Sequence, residues 1–407
     1  GIGAEGSGEF FRLMALFAIA ISLVTFGADT GLVRTMSAQR ALGRYGVLPQ
    51  LIRYGLIPSL VTSVLLVAGV YIYTELVPMA PEYQAAMRVS SAFVLVAALM
   101  TVFFGALRGL HRVVTFTVLQ NVLLPTLRFA AVGLVVLFSG QLMDLVYAWT
   151  VPVAITAVVA LWLLERAFPS EEHVEVLPSE DSPAETFRSF WGFSSARGVA
   201  TVVETILEWI DVLVVTAFLG AAAGGIYGAV NRCVRVGTMI EHTGRVVTGP
   251  SISAALATRQ LDRARDIFLS TTRVLTALSW PFYLSLAFFG PTLLGFFGKG
   301  FEAGAGILWV ICPAAMLSMS AGGVQSVLLL NKLSSLVVAV TLNFTLVPVW
   351  GLYGAVTAWA SALLIDTFLA SYQVFRLVGI RASAREMAPS LFLGAAVPTV
   401  CALASLA

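Results

Sequence analysis

The chain has 407 residues, of which 58% are hydrophobic and 11% are charged, with a formal net charge of +2. Soluble domains carry about 25% charged residues, so a soluble monomer is excluded, and the charge balance leaves no basic field of the size nucleic acid requires. A membrane helix takes about 20 apolar residues, so a dozen would account for roughly 240, close to the apolar content. The cysteines Cys233, Cys312 and Cys401 lie scattered in apolar runs and His111, His173 and His242 are isolated, so no disulfide or zinc spacing is present.

In chain order, apolar runs between polar breaks predict helices over 10–36, 52–74, 84–107, 113–139, 143–165, 192–219, 225–252, 272–297, 303–330, 333–349, 353–376 and 388–406. The predicted fold is an all-α polytopic membrane protein with about 12 visible helices. Pro125 and Pro313 fall inside helices, where a missing N–H and a bulky ring favour kinks. Alternate connections carry Arg40, Arg44 and Arg53; Arg108 and Arg112; Arg166 and Arg188; Arg259, Arg263, Arg265 and Arg273; Lys332; and Arg376, Arg381 and Arg385. These are 15 of the 24 basic residues, whereas the opposite connections hold Arg12, Arg88 and Lys299 beside Glu5, Glu9, Glu75, Glu82, Asp144 and Glu302. The positive-inside rule makes the first set cytoplasmic and puts Gly1 outside. A polytopic chain that starts outside without a signal peptide implies a further helix before Gly1, and Ala407, ending outside, leaves room for another after it. Residues 167–189 form an acidic polar linker. The expected organisation is therefore a first lobe over 1–166, a cytoplasmic linker over 167–189, a second lobe over 190–380 and an additional C-terminal helix over 381–407.

An offset of 217 aligns Gly3, Ala4 and Gly8 with Gly220, Ala221 and Gly225, and an offset of 210 aligns Ala148-Trp149 with Ala358-Trp359. Each Gly-Ala-x-x-x-Gly turn opens a long helix that ends in an arginine-bearing segment. Equal lobes of the same orientation imply parallel repeats about an axis along the membrane normal. The spacing is unequal at one place: Arg108 to Trp149 spans 41 positions, but Asn331 to Trp359 spans 28. A cytoplasmic turn at Asn331-Lys332 is then too tight, and about a dozen residues are expected to be missing there.

Six arginines (Arg34, Arg128, Arg197, Arg232, Arg235, Arg245) and six acids (Asp29, Glu204, Glu208, Asp211, Glu241, Asp366) fall within predicted spans. Each costs about 2.5–3.5 kcal/mol at a helix centre, so the equal counts point to pairing or to a hydrated interior. Arg197, Thr201, Glu204, Glu208 and Asp211 step by 4, 3, 4 and 3, as do Asn231, Arg235, Thr238, His242 and Arg245. Two consecutive helices thus each present a polar stripe. The functional reading is a water-filled cavity between pseudo-symmetric lobes. Arg34, Arg128, Asn231, Arg232, Arg235 and Arg245 would hold an anionic phosphate or diphosphate, which guanidinium binds bidentately. Asp29, Glu204, Glu208, Asp211 and Glu241 are the candidates for a coupling proton or sodium ion. The plainer reading is a set of interhelical salt bridges, with Arg34 and Arg197 snorkelling to the cytoplasmic face. Asp366 stands alone on its helix. No metal or other cofactor is implied.

The segment Gly3-Ala4-Glu5-Gly6-Ser7-Gly8-Glu9-Phe10, ahead of a helix ending Gly31-Leu32-Val33-Arg34, resembles the polysaccharide-biosynthesis flippases of the multidrug/oligosaccharidyl-lipid/polysaccharide (MOP) exporter superfamily. So do Glu208-Trp209-Ile210-Asp211-Val212-Leu213, Gly225-Ile226-Tyr227-Gly228-Ala229 and Pro348-Val349-Trp350-Gly351-Leu352-Tyr353-Gly354-Ala355. The resemblance implies two six-helix lobes around a cavity that opens alternately to each side. It implies transfer of a polyprenyl-diphosphate-linked oligosaccharide to the outer leaflet of a bacterial inner membrane, with no nucleic acid and no obligatory oligomer. The family's first helix has no match here. The extra helix 388–406 resembles the extension of the lipid II flippases, which keeps a peptidoglycan-precursor substrate open. A cation-exporting relative should show a cavity dominated by carboxylates. A membrane glycosyltransferase should show a large external loop, whereas the longest external connection here is about ten residues, 74–84. A non-transporting scaffold has no need of charges within its spans.

Overall fold

The computed structural model describes residues 3–138, 140–168, 183–321 and 329–378; within these, the side chains of 183–184, 241–243, 245–247, 249–250, 253, 256–257 and 377–378 are not described. The elements are α1 (Gly3–Thr25), α2 (Ala28–Ala41), α3 (Leu48–Leu76), α4 (Pro81–Gly109), α5 (Val113–Val118), α6 (Leu124–Phe138), α7 (Leu142–Ala167), α8 (Pro183–Leu219), α9 (Ala221–Ala257), α10 (Leu261–Phe288), α11 (Gly290–Gly295), α12 (Ala305–Ser320), α13 (Leu329–Trp350) and α14 (Leu352–Val378). No strand occurs among the described residues.

Eight helical segments among the described residues are long and apolar enough to cross a membrane: 3–25, 45–76, 81–109, 113–138, 142–167, 301–320, 329–350 and 352–376. Of the other four predicted spans, 388–406 lies outside the described residues. The remaining three are α8, α9 and α10, which are 37, 37 and 28 residues long. Length does not disqualify them. Their polar content does, since α8 carries Glu204, Glu208 and Asp211 and α9 carries Arg232, Arg235, Glu241 and Arg245. Two of these three helices, α8 and α9, are those with the polar stripes. The outward faces elsewhere are apolar: Phe129 and Phe138 on α6 are 79% and 83% exposed, as lipid contact requires and water would penalise.

Three predicted boundaries are corrected. The single helix 10–36 is broken at Phe26-Gly27, which have φ of 41° and 78°. Gly27 takes the left-handed conformation that glycine adopts without strain, and a Cβ there would strike the backbone of Ser194 and Gly198. The helix predicted over 272–297 ends at Phe288, and the short α11 follows. The turn expected at Asn331-Lys332 is instead the start of α13, and α12 ends at Ser320 rather than 330. Residues 330–334 are a continuous part of α13. Pro125 gives its expected irregularity in a different form. It cannot donate to the carbonyl of Asn121, and a π-helical turn over Leu119–Leu123 precedes it.

The chain packs as two compact units, one comprising Arg12–Trp209 and the other Gly3–Phe11 with Ile210 onward. The first has a core of Ala28, Leu32 and Met36 from α2, Ala97, Val102 and Phe104 from α4, Val153, Ala157 and Ala160 from α7, and Phe190 from α8. The three- and four-residue spacing within α2 and α7 is what turns their side chains to one face. The second is built on Val212 and Val215 from α8, Tyr227, Val230 and Val234 from α9, Tyr283 from α10, Leu308, Ile311 and Ala315 from α12, and Ala355 from α14. The expected linker, 167–189, lies largely outside the described residues, and the contact boundary falls within α8, between Trp209 and Ile210.

The second unit contains direct support for the internal repeat. Gly3 and Gly220, equivalent at the offset of 217, both have left-handed φ, 68° and 89°. The starts of α1 and α9 pack on each other reciprocally. A Cβ at Gly8 would overlap the Ala221 carbonyl oxygen, and one at Gly225 would overlap that of Ala4. Gly8 and Gly225 are equivalent, as are Ala4 and Ala221, so the contact is the same in both directions, as at a two-fold axis. Small residues allow such close backbone approach between membrane helices.

Candidate functional site: a buried carboxylate and an arginine-bearing helix

In the second unit, α8 delivers Asp211 to a position 1% exposed. Its carboxylate is held by two neutral donors from other helices. The Tyr227 hydroxyl of α9 donates to Oδ2 at 3.1 Å, and Asn343 Nδ2 of α13 donates to Oδ1 at 2.7 Å. Asn343 Nδ2 also reaches the Ala339 carbonyl at 2.9 Å, while its Oδ1 is buried with no hydrogen-bond partner. Asp211 is thus a buried carboxylate held by neutral donors from two other helices.

The ridge continues along α9. Asn231, one turn beyond Tyr227, is buried. Arg235, a further turn on, places Nε 3.4 Å from Asn231 Oδ1, and Thr238 donates to the Arg235 carbonyl at 2.8 Å. The Arg232 guanidinium lies 5.4 Å from the Phe11 ring centroid. Tyr283 packs over Gly237 and bonds the Val234 carbonyl at 3.3 Å, which fixes α10 against this helix. The predicted stripe of α9 thus survives as far as Thr238. The side chains of Glu241, His242 and Arg245 lie outside the described residues.

The stripe of α8 does not share one environment. Glu204 and Glu208 are exposed and Arg197 is half-buried, whereas Asp211 is enclosed in the other unit. In the first unit, Asp29 pairs with Arg108 at 2.7 Å. Arg34 stacks on Phe193 at 4.2 Å. Arg128 lies over the Trp149 ring at 3.9 Å and donates from Nε to the Trp149 carbonyl at 3.2 Å. That carbonyl is three residues before Pro152, in the turn where a helix proline loosens the backbone ladder, so Arg128 serves α7 locally. Asp366 has a partner after all, Lys332, at 3.0 Å. Sequence reasoning missed Asn343, Tyr227 and Lys332 as partners. A single Asn within the apolar run 333–349 was the available signal for the first.

A family profile described as polysaccharide biosynthesis protein matches residues 1–254. The chain belongs to that family. Among solved structures, this family member is similar to an inward-facing multidrug resistance MATE transporter of the MOP superfamily, with a TM-score of 0.71 and 15% identity over 93% of this chain and 92% of the other. It is similar to the lipid II flippase MurJ in an inward closed conformation, with a TM-score of 0.66 and 12% identity over 98% and 91%. It is also similar to MATE in complex with MaL6, with a TM-score of 0.56 and 14% identity over 92% and 94%. At these identities the likeness is one of fold. No curated protein sequence matches the chain. Family, fold and the eight apolar helices together make it a multi-pass membrane protein.

Proposed function

We propose that this family member is a flippase, not an enzyme. Its substrate is a polyprenyl-diphosphate-linked oligosaccharide, moved from the cytoplasmic to the outer leaflet of a bacterial inner membrane by alternating access. The observation that carries the reading is the arginine-bearing ridge of α9, with Asn231 buried and Arg235 beside it. Arginines in a span are expensive and guanidinium is the side chain suited to a diphosphate. Membership of a polysaccharide biosynthesis family supports a glycan cargo, and a fold shared with a lipid II flippase supports a lipid-linked one. Asp211 is the leading ion-coupling group, because it is a buried carboxylate held by neutral donors. Glu204 and Glu208, exposed along the same helix, are the accessory candidates.

The test is flipping in proteoliposomes. Arg235→Ala abolishes transfer of the diphosphate-linked lipid while the yield of folded protein stays near that of the parent. Parallel loss of fold and transfer would instead make Arg235 a structural residue. Supplying lipid II in a second arm separates a peptidoglycan precursor from an oligosaccharide, since both carry the prenyl diphosphate and differ in the sugar.

A further inference from the structure

A second carboxylate in the second unit is held in a different way. Asp366 of α14 and Lys332 of α13 form an ion pair at 3.0 Å, with side chains 7% and 13% exposed. Only Oδ2 of Asp366 is engaged; Oδ1 is buried and has no hydrogen-bond partner. The neighbouring Thr367 shares a 2.9 Å hydrogen bond with Ser318 of α12. The ion pair ties α14 to α13, and this hydroxyl pair ties it to α12. Asn331 and Gln373 exchange two amide hydrogen bonds of 2.9 Å across α13 and α14. Gln373 stands seven residues past Asp366, about 10 Å along the helix, so this amide pair closes the seam between the ion pair and the helix ends.

The choice of base is informative. Of 24 basic residues, 22 are arginine, and the residue facing this buried acid is one of two lysines. An arginine fork would hold both carboxylate oxygens, which a lysine ammonium, as a point charge on a flexible stem, does not. Lys332 is the fourth residue of α13, so its four-carbon stem can carry the ammonium from Asp366 towards the helix end by snorkelling. A buried carboxylate oxygen without a hydrogen-bond partner is costly. A ligand that satisfied it would recover that loss.

We infer that Asp366, whose buried Oδ1 Lys332 leaves unengaged, is a monovalent-cation site in which Lys332 is a tethered, exchangeable counter-ion. Sodium and the Lys332 ammonium compete for the same carboxylate, so the site fills when Lys332 swings away. The site is separate from Asp211 and its binding can be read without any transport.

Radiolabelled sodium binding to the purified full chain tests this, using Lys332→Gln, Asp366→Asn and the double variant. Lys332→Gln removes the competitor and should bind sodium at least about tenfold more tightly than the parent, and the double variant should lose that gain. An unchanged affinity in Lys332→Gln, or a gain that survives Asp366→Asn, overturns the proposal. Should Lys332→Gln fail to fold, the sodium binding of the parent that disappears in Asp366→Asn serves in its place. That fraction should be absent from Lys332→Arg, whose guanidinium grips the carboxylate bidentately. Its full retention there, or its absence from the parent, would equally overturn the proposal.

Discussion

In the first unit, Asp29 meets Arg108 with both side chains about a quarter exposed, at 24% and 29%. In the second, Asp211 is 1% exposed and is held by the neutral groups of Tyr227 and Asn343. The chain repeats itself at the starts of α1 and α9, yet it treats a helix-borne acid in two ways. An exposed acid beside an arginine is neutralised already and has no need of a mobile ion. A buried acid held by neutral donors keeps its charge demand open, so a proton or cation arriving there changes its energy substantially. The repeat thus supplies two scaffolds, and the differing partners give them different chemistry.

The largest effect should follow from removing that open demand. Asp211→Asn keeps an acceptor for Tyr227 and stays close in shape to the carboxylate. Stimulation of flipping by an ion gradient should vanish while folded protein is recovered. Persistence of ion-stimulated transport in Asp211→Asn would move the coupling elsewhere and erase the functional side of the comparison. Asn343→Leu comes next. It strips a buried carboxylate of a donor, and a hydrogen bond to a charged group is worth about 1.5–3 kcal/mol. Thermal unfolding should show a loss of that order, and the double variant with Asp211→Asn should lose less than the sum of the two single changes.

Most of the helices were legible in the sequence because apolar runs report lipid contact directly, although limits of α8, α10 and α12 moved by about ten residues. The exceptions share a physical cause. Lys332 was read as a loop residue because charge usually marks water, but a partner 34 positions away buries it in α13. The break at Gly27 exists because Ser194 and Gly198 come close to it, and no local pattern encodes that approach. Asp211 stood out at once as a charge in an apolar run, whereas its donor Asn343, 132 positions distant, could be paired with it only by the fold. The residues of the polar stripe on α8 differ in environment, with Glu204 and Glu208 exposed and Asp211 buried, and periodicity alone does not report that difference.

That difference makes a sharper prediction about the two glutamates. Glu204 and Glu208 are exposed, so each can meet an ion without the enclosure that Asp211 has. If they act as accessory coupling groups, Gln at either position flattens the pH or sodium dependence of flipping without abolishing transport. Unaltered dependence in both variants would confine the coupling to the enclosed end of α8.

The smallest effect is expected at Asp29, and it bears most directly on the contrast between the units. Exposed ion pairs contribute about 0–1 kcal/mol, because solvent already stabilises both partners. The Arg108 side chain also has supports other than the acid. Its guanidinium lies 4.7 Å from the Phe116 ring centroid, and Nε reaches the Phe104 carbonyl at 3.4 Å. The approach of α2 to α4 is set by backbone contact, since a Cβ at Gly105 would strike the backbone of Asp29 itself, and that contact survives a change of side chain. Asp29→Asn should therefore lower stability by less than about 1 kcal/mol, and a double-mutant cycle with Arg108→Gln should give a coupling energy in the same range. Ion-stimulated flipping should be retained. A coupling energy several times larger, or loss of the ion response, would show that the first unit also uses its acid as a working charge, and the distinction between an acid neutralised by arginine and one held by neutral donors would fail.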